Sequence, residues 1–340
     1  MSLSRICTLA VIGALAWSCA GAASAACELK EISEFHITMD GNEPLVDASI
    51  NGHPVRFLVD MGSSNTFITR LGAKTLGLTP HRMSNITFYG VGGGEVPSET
   101  IIDDLKIGNT YAHKADMIVL GNGLRSDKFV GLLGRDVLSQ ADIEFDLANG
   151  AMRIFKPKGC DGDQVVYWNK PYSLATIVPE NDPNGLKIYV TLNGQKAIAS
   201  VDTGAYTSVV TTAMAVRAGI TPTTETPHGS SSGISGGVVP TSVAIFPTLA
   251  IGDEAIKNAK LRIADLYGAD VKTTTGTLVA HRVLDASDML LGADFIRAHR
   301  IYVARSQGKV YFSYNGGPIF QTPTLAAPTP AAADPRTPTK

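Results

Sequence analysis

Two aspartic acids occupy nearly the same sequence context, one in each half of the chain. Leu58–Ser63 reads LVDMGS and Ser200–Ala205 reads SVDTGA, so each apolar run leads into an Asp that is followed two residues later by Gly. A carboxylate at the end of a buried strand is costly unless it is hydrogen-bonded or has a function. Two adjacent carboxyls share a proton, so one can accept a proton from water while the other donates to a carbonyl oxygen. The duplication therefore predicts an acid–base pair of Asp60 and Asp202.

The similarity between the two halves extends well beyond the aspartates. Asn51-Gly52 and Asn193-Gly194 precede the two Asp residues by the same number of positions. Leu132–Asp136 (LLGRD) matches Leu290–Asp294 (LLGAD) at a larger offset, which predicts an insertion in the second copy around residues 265–285. A repeat of this length indicates two similar subdomains and is far too long for a solenoid unit.

Each copy is predicted to be rich in β-strands, with one short helix. Asn-Gly is a strong signal for a tight turn between two strands, and a Gly after an apolar-periodic segment is a helix stop. The pattern predicts strands at 45–50, 55–59, 187–192 and 197–201, and helices at 70–76 and 213–218 that end at Gly77 and Gly219.

Composition limits the classes of function. The 340 residues include 34 Gly and 18 Pro, which suits a two-domain β-rich protein with many turns. The net charge of −2 gives no basic surface, so we do not expect nucleic acid as a partner. The seven His residues are scattered without metal-ligand spacing, and we expect neither a metal nor a cofactor.

The first 25 residues have the features of an export signal. Arg5 precedes an apolar run from Cys7 to Trp17, and Ala23-Ser24-Ala25 offers a small-x-small cleavage site. We expect a periplasmic or secreted monomer with no membrane association beyond this signal. Residues 319–340 are rich in Pro, Ala and Thr and are predicted to be a disordered tail.

Cleavage after Ala25 would leave two cysteines, Cys27 and Cys160. An even pair in an oxidising compartment favours one disulfide, and two unpaired thiols are the alternative. Lipid anchoring at Cys19 or Cys27 is a weaker alternative, because neither follows a suitable aliphatic residue by three positions.

At these motifs the sequence resembles the retropepsin-like (retroviral-type) aspartic peptidases. The matching residues are Val59–Ser63 with Leu132–Gly134, and Val201–Ala205 with Leu290–Gly292. The resemblance is to a duplicated, single-chain form like that of bacterial exported aspartyl proteases. It implies an all-β fold of two tandem β-barrel lobes, at 26–165 and 166–318, related by a pseudo-twofold axis with the active site between them.

The resemblance also implies roles for individual residues. Asp60 and Asp202 would be the catalytic dyad of an aspartic endopeptidase that acts on a peptide or protein substrate. The active-site loops would contain Met61, Gly62, Ser63, Thr203, Gly204 and Ala205, with Ser63 able to hydrogen-bond Asp60. Two Gly-rich segments would be flaps that close over an extended peptide, through Tyr89, Gly90, Gly92, Gly93, Ser232, Gly233 and Ile234.

One position departs from the family pattern. In the family a Thr follows each catalytic Asp, and its hydroxyl ties the two loops together; Thr203 fits this pattern and Met61 does not. A hydrogen bond contributes about 0.5–1.5 kcal/mol, and misplacing a reacting group by about 1 Å costs on the order of 100-fold in rate. A catalytically weak or inactive peptide-binding protein on the same fold is therefore the alternative to an active endopeptidase.

Other signals point elsewhere. Gly229–Gly233 formally fits the Gly-x-Ser-x-Gly motif of serine hydrolases, with Ser231 as the nucleophile, but it lacks the strand-to-helix setting of that motif. Asp136 and Asp294 are interpreted as turn or surface carboxylates, and Arg135 as a structural ion-pair residue.

Overall fold

The computed structural model describes residues 27–84, 86–124, 126–162, 164–179, 182, 184–221, 229–266 and 287–320. The predicted export signal, nearly all of the predicted insertion at 265–285, and the tail from residue 321 lie outside these residues.

Two tight turns organise the halves in the same way. Asn51 and Gly52 have φ values of 51° and 80°, and Asn193 and Gly194 have 48° and 80°. Consecutive positive φ angles define the type I′ turn of a two-residue hairpin, which Asn-Gly adopts readily. Each turn joins two antiparallel strands, and the second strand of each pair ends at one of the two aspartates.

The described part of the first half contains twelve strands and two α-helices. The strands are β1 (Glu28–Asp40), β2 (Glu43–Ile50), β3 (His53–Val59), β4 (Phe67–Thr69), β5 (His81–Arg82), β6 (Phe88–Gly90), β7 (Gly93–Glu95), β8 (Ser98–Ile107), β9 (Thr110–Leu120), β10 (Gly131–Leu133), β11 (Asp142–Asp146) and β12 (Ala151–Lys158). The helices are α1 (Arg70–Thr75) and α2 (Arg135–Leu138).

The described part of the second half repeats this order. Its strands are β13 (Ser173–Thr176), β14 (Lys187–Leu192), β15 (Gln195–Val201), β16 (Val209–Thr211), β17 (Ser230–Ser232), β18 (Val238–Pro240), β19 (Ser242–Ile251), β20 (Glu254–Ala264), β21 (Met289–Leu291), β22 (His299–Ala304) and β23 (Lys309–Tyr314). Its helices are α3 (Thr212–Arg217) and α4 (Ala293–Ile296), and 3-10 turns occupy Leu147–Asn149 and Arg305–Gln307.

Six strands of each half close into a barrel. The first barrel runs β2-β3-β10-β4-β9-β8 and closes by pairing of β8 with β2. The second runs β14-β15-β21-β16-β20-β19 and closes by pairing of β19 with β14. Corresponding strands therefore occupy corresponding places, which confirms the predicted all-β class of two tandem retropepsin-like lobes.

A sheet shared by the two halves joins the barrels. Its order is β13-β23-β22-β11-β12-β1, and the junction between halves is the antiparallel pairing of β11 with β22. The Glu144 carboxylate is fully buried there and accepts hydrogen bonds from Arg153 at 2.7 Å and Arg300 at 3.0 Å. Cys27 and Cys160 form a disulfide that ties the start of β1 to the segment after β12.

The helices begin and end where local chemistry requires. Thr69 caps α1 by accepting from the Gly72 N–H at 2.8 Å, and Thr211 caps α3 in the same way. Gly77 and Gly219, which follow the two helices, have positive φ, as the predicted helix stops require.

The second lobe extends beyond its predicted end at residue 318. Phe320 is only 3% exposed, and its ring stacks on Phe295 with the centroids 5.9 Å apart. The predicted tail boundary at residue 319 is therefore too early, because an aromatic ring that packs in the core stabilises the chain up to that position. None of the helices in the described ranges has the length and apolar content of a membrane span.

Candidate active site

Parallel strand pairing delivers both aspartates to the same place. β3 runs parallel to β10, and the Asp60 N–H donates to the Leu133 carbonyl at 2.9 Å. In the second lobe β15 runs parallel to β21, and the Asp202 N–H donates to the Leu291 carbonyl at 3.0 Å. The two Leu-Leu-Gly motifs therefore serve as the strands that hold the ends of the Asp strands.

The loop after each Asp folds back on the carboxylate. Asp60 Oδ1 accepts from the N–H groups of Gly62 at 2.8 Å and Ser63 at 3.0 Å. Asp202 Oδ1 accepts from the N–H groups of Gly204 and Ala205, both at 3.0 Å. These backbone donors orient both carboxyls and favour their ionised forms.

The two carboxyls meet between the lobes. Asp60 and Asp202 lie close enough for each carboxyl to shift the pKa of the other. A Cβ on Gly62 would overlap the carboxyl of Asp202, and a Cβ on Gly204 would overlap that of Asp60. The Gly two residues after each Asp is therefore required because it lies directly against the opposite carboxyl.

The two carboxyls differ in the balance of forces on their proton. Burial, together with the negative charge of Asp202 and the hydrogen bond to it, raises the pKa of Asp60 well above its ordinary value. Burial also raises the pKa of Asp202, but the backbone N–H of Ala205, the side chain of Asp60, the backbone N–H of Gly204 and, last, the positive charge of Arg135 oppose this rise. The two carboxyls therefore titrate as a coupled pair, in which burial and mutual repulsion favour the retention of one proton.

Half of the expected lock between the loops is present. The buried Thr203 hydroxyl accepts from the Met61 N–H at 2.9 Å and donates to the Val59 carbonyl at 2.7 Å. The Met61 side chain is only 1% exposed and carries no hydroxyl for the reciprocal contacts with the Thr203 N–H and the Val201 carbonyl. The Thr203 side chain thus hydrogen-bonds the backbone of the N-terminal loop, whereas the Met61 side chain makes no equivalent hydrogen bond to the C-terminal loop.

Ser63 contacts Asp60 through its backbone only. Its hydroxyl donates to the Asn65 carbonyl at 2.7 Å, while its N–H donates to Asp60. The Ser63 carbonyl accepts from the backbone N–H of Arg135, and the Ala205 carbonyl accepts from the backbone N–H of Ala293. The hydroxyl thus serves to shape the loop, and the two carboxyls receive the same set of donors from their loops.

A second pair of aspartates supports the loops. Asp136 Oδ1 accepts from both the N–H and the hydroxyl of Thr66, and Asp294 Oδ1 does the same with Ser208, at distances of 2.6–2.9 Å. Asp294 is 4% exposed and buried beneath its loop. The interpretation as a turn or surface carboxylate is therefore wrong for Asp294, whereas Asp136 is half-buried. The Asp occurs in both copies of the Leu-Leu-Gly-x-Asp motif, and this repetition was the available sign of a structural role.

The two Gly-rich segments form antiparallel hairpins. The N hairpin consists of β6 and β7, and the C hairpin consists of β17 and β18. Tyr89, Gly90 and Gly93 lie in the N hairpin, and Tyr89 is 57% exposed. Ser232 ends β17 and Gly233 follows it.

The tips of the two hairpins meet. Ile234 of the C hairpin packs against a buried apolar cluster of the first lobe that includes Leu45 and Phe129, and Val91 of the N hairpin packs against an apolar cluster of the second lobe. The backbones of Gly92 and Gly237 lie so close that a Cβ on either would overlap the other's carbonyl. Each hairpin therefore places one branched aliphatic side chain against the opposite lobe.

Two other arrangements are not formed. Ser231 pairs with Val239 inside the C hairpin, so it does not occupy the strand-to-helix turn that a hydrolase serine requires. Within the described ranges, no cluster of three or more His, Cys, Asp or Glu side chains is arranged to hold a metal ion.

Two β-barrel lobes that each end a strand in Asp-x-Gly, and that bring the two carboxyls into contact, define the architecture of an acid protease. The sequence model of the aspartyl protease family matches residues 46–137 and 188–295, one region in each lobe. The chain therefore belongs to the aspartyl protease family, in a duplicated retropepsin-like form. No curated protein was found to match the chain.

Proposed function

We propose that the protein is an aspartic endopeptidase that hydrolyses peptide bonds with a water molecule activated by Asp60 and Asp202. The observation that carries this proposal is the meeting of two buried carboxyls from opposite lobes, each lying against the Gly of the other's loop. Such a pair contains one acid and one base at the same pH, and aspartic proteases are the established example of this arrangement.

In the proposed cycle the shared proton begins on Asp60. Ionised Asp202 accepts a proton from water, the water oxygen bonds to the scissile carbonyl carbon, and Asp60 donates its proton to the carbonyl oxygen. The resulting diol collapses when the proton on Asp202 passes to the leaving nitrogen. One diol hydroxyl then returns its proton to Asp60 as the C–N bond breaks. The pair ends as it began, and no covalent intermediate forms.

The N hairpin and the C hairpin are the proposed flaps over the substrate. Their tips meet. In this proposal the closed tips cover the carboxyls and exclude water that would otherwise weaken the electrostatic interactions. An extended peptide would pair with hairpin backbone as an added strand, with its side chains directed alternately to the two sides.

Replacement of either carboxyl tests the proposal. Asp60→Asn and Asp202→Asn should each lower kcat/KM on a mixed peptide library by at least about 100-fold, since positioned acid–base groups contribute about 10²–10⁴-fold. Asp253→Asn, at an exposed turn of the second barrel, is the matched control and should leave the rate unchanged. Full activity in either dyad variant would overturn the mechanism.

Met61 favours a second candidate, a peptide-binding protein on the same fold that does not hydrolyse its ligand. The one-sided lock allows the Asp60 loop more freedom than a reciprocal lock would. Isothermal titration with library peptides distinguishes the two candidates. Saturable binding without product at any pH supports the binding protein, and product formation supports the peptidase.

Export to the periplasm or beyond the cell is part of the proposal. It rests on Arg5, the apolar run and Ala23-Ser24-Ala25, and is consistent with the Cys27–Cys160 disulfide, since such bonds persist in oxidising compartments. N-terminal sequencing of the mature protein should begin at Ala26, and an intact Met1 would contradict export by cleavage.

A further inference from the structure

Glu95 is a buried carboxylate that the proposed reaction does not use. It ends β7 of the N hairpin, and its side chain is 4% exposed. The C hairpin has no equivalent carboxylate. When Pro97 is aligned with Pro240, the position of Glu95 corresponds to Val238, which is 69% exposed. A buried charge is costly unless it is paired and hydrogen-bonded, so this asymmetric carboxylate needs a reason.

One oxygen of Glu95 binds the base of its own hairpin to the first lobe. Glu95 Oε1 accepts from Arg70 Nε at 2.6 Å, and Arg70 is the first residue of α1. The same guanidinium donates to the Val96 carbonyl at 2.8 Å and to the Ser98 hydroxyl at 3.2 Å. Arg70 therefore holds three positions where the N hairpin joins the barrel.

The other oxygen holds a turn that belongs to neither hairpin. Glu95 Oε2 accepts from the backbone N–H groups of Gly121 and Asn122, both at 3.0 Å. These residues begin the turn at 121–124, which follows β9. A charged acceptor with two backbone donors fixes the position of such a turn strongly.

The same turn holds the tip of the opposite hairpin. The Gly123 N–H donates to the Ile234 carbonyl at 3.0 Å, and the side chains of Leu124 and Ile234 pack against the same apolar cluster of the first lobe. Gly123 also lies so close to Gly233 and Gly236 that a Cβ would overlap their backbone. A continuous set of contacts thus runs from Arg70 through Glu95 and the turn to the tip of the C hairpin.

We propose that Glu95 is a positioning residue that couples the two hairpins and holds both closed over the cleft. Its loss frees the base of the N hairpin and, through the turn at 121–124, the tip of the C hairpin. The catalytic consequence rests on the proposed function: substrate is held more weakly, while the bond-breaking step at Asp60 and Asp202 is unchanged.

Hydrogen–deuterium exchange tests the coupling without requiring activity. Glu95→Gln keeps the shape but places an amide N–H₂ against Arg70 or against the backbone donors of the turn, so one face of the contact is lost. In an Asp60→Asn background, which prevents self-cleavage, exchange should rise about tenfold in peptides spanning 88–95 and also 230–240. Glu99→Gln, at an exposed position of β8, is the matched control and should change neither. A rise confined to the N hairpin, or no rise at all, overturns the coupling.

Kinetics of the otherwise unaltered enzyme provide the second readout. Glu95→Gln should raise KM about tenfold and change kcat by less than about twofold, whereas general damage to the lobe would lower kcat. Absence of hydrolysis by the unaltered protein would refute the proposed function and leave the exchange experiment decisive for the coupling. If Glu95→Gln loses its thermal unfolding transition, Arg70→Lys takes its place. Arg70→Lys retains the positive charge but not the several donors of the guanidinium. The proposal requires that this variant raise hydrogen–deuterium exchange in both hairpins.

Discussion

The two carboxyls in the cleft have matched backbone donors but unmatched charges around them. Each accepts two N–H groups from its own loop, and neither receives a side-chain hydroxyl. Arg135, whose guanidinium lies 3.2 Å from Asp182, acts electrostatically on Asp202, while the equivalent position in the second lobe is Ala293. A single charged residue therefore makes the electrostatic surroundings of the two carboxyls unequal.

Arg135→Ala should shift the pH profile of kcat/KM. The Arg135 charge holds the pKa of Asp202 down, so its removal raises that pKa, and the acid limb, where Asp202 becomes protonated, moves to higher pH. Lys257→Ala removes an exposed cation from the second barrel and is the control. An acid limb that stays in place in Arg135→Ala would contradict this account.

Met61→Thr should restore the reciprocal half of the lock. The new hydroxyl can accept from the Thr203 N–H and donate to the Val201 carbonyl, and a gain of about 2–10-fold in kcat/KM corresponds to one net hydrogen bond. Met61→Leu keeps the apolar volume without a hydroxyl and should show no gain. A large gain from an undetectable starting activity would favour the peptide-binding alternative for the natural chain, and no gain would show that the missing half does not limit the rate.

Polar contacts, as well as strand pairing, hold the loops that follow the two aspartates. Ser208 donates to Asp294 and its hydroxyl also accepts from the Gly292 N–H at 2.9 Å, and Thr66 forms the same set with Asp136 and Gly134. These contacts connect the start of the strand after each Asp loop to the Leu-Leu-Gly strand. The loops are therefore held at both ends.

Ser208→Ala should destabilise the second lobe. It leaves the buried Gly292 N–H without its acceptor and removes one donor from Asp294, which costs about 1–3 kcal/mol. Chemical unfolding of this variant beside Ser230→Ala, an exposed serine in the C hairpin, measures the difference. Equal stability of the two variants would contradict the role of the contact.

A sheet joins the two halves of the described chain, and a disulfide within the first half ties the start of β1 to the segment after β12. The sheet crosses between halves at β11 and β22, where Glu144 is paired with Arg153 and Arg300, and the Arg300 guanidinium lies 4.5 Å from the Trp168 ring centroid. A cleft between two lobes keeps its geometry only if the lobes cannot rotate apart. These contacts stabilise that arrangement independently of the loops at the carboxyls.

Removal of the disulfide should lower the stability of the whole chain. Cys27 and Cys160 are 133 residues apart in sequence, and a crosslink that closes so long a loop restricts the unfolded chain strongly. The double variant Cys27→Ser, Cys160→Ser should lose about 2–5 kcal/mol in denaturant unfolding. As the internal control, the unaltered protein and the double variant should have equal free energies of unfolding under reducing conditions. Equal values under oxidising conditions would contradict the prediction.

Short-range chemistry made much of the fold predictable. The Asn-Gly turns, the strands that end at Asp60 and Asp202, and the helix stops at Gly77 and Gly219 all depend on residues a few positions apart, whose preferred φ and ψ angles do not require a partner elsewhere. Duplication of these signals indicated two like lobes. Asp294 was misjudged because its burial depends on Ser208, which is distant in sequence.

The sequence by itself determined the family, the repeated lobe and the pair of aspartates, because motifs and turn residues act locally and occur twice. Only the tertiary structure decided which groups meet: Thr203 with the Met61 N–H across 142 residues, Arg135 near Asp202, and Glu95 under the turn that holds the other hairpin. Such contacts depend on how the two closed barrels pack against each other. This packing brings together residues that are far apart in the sequence, so no single segment predicts it.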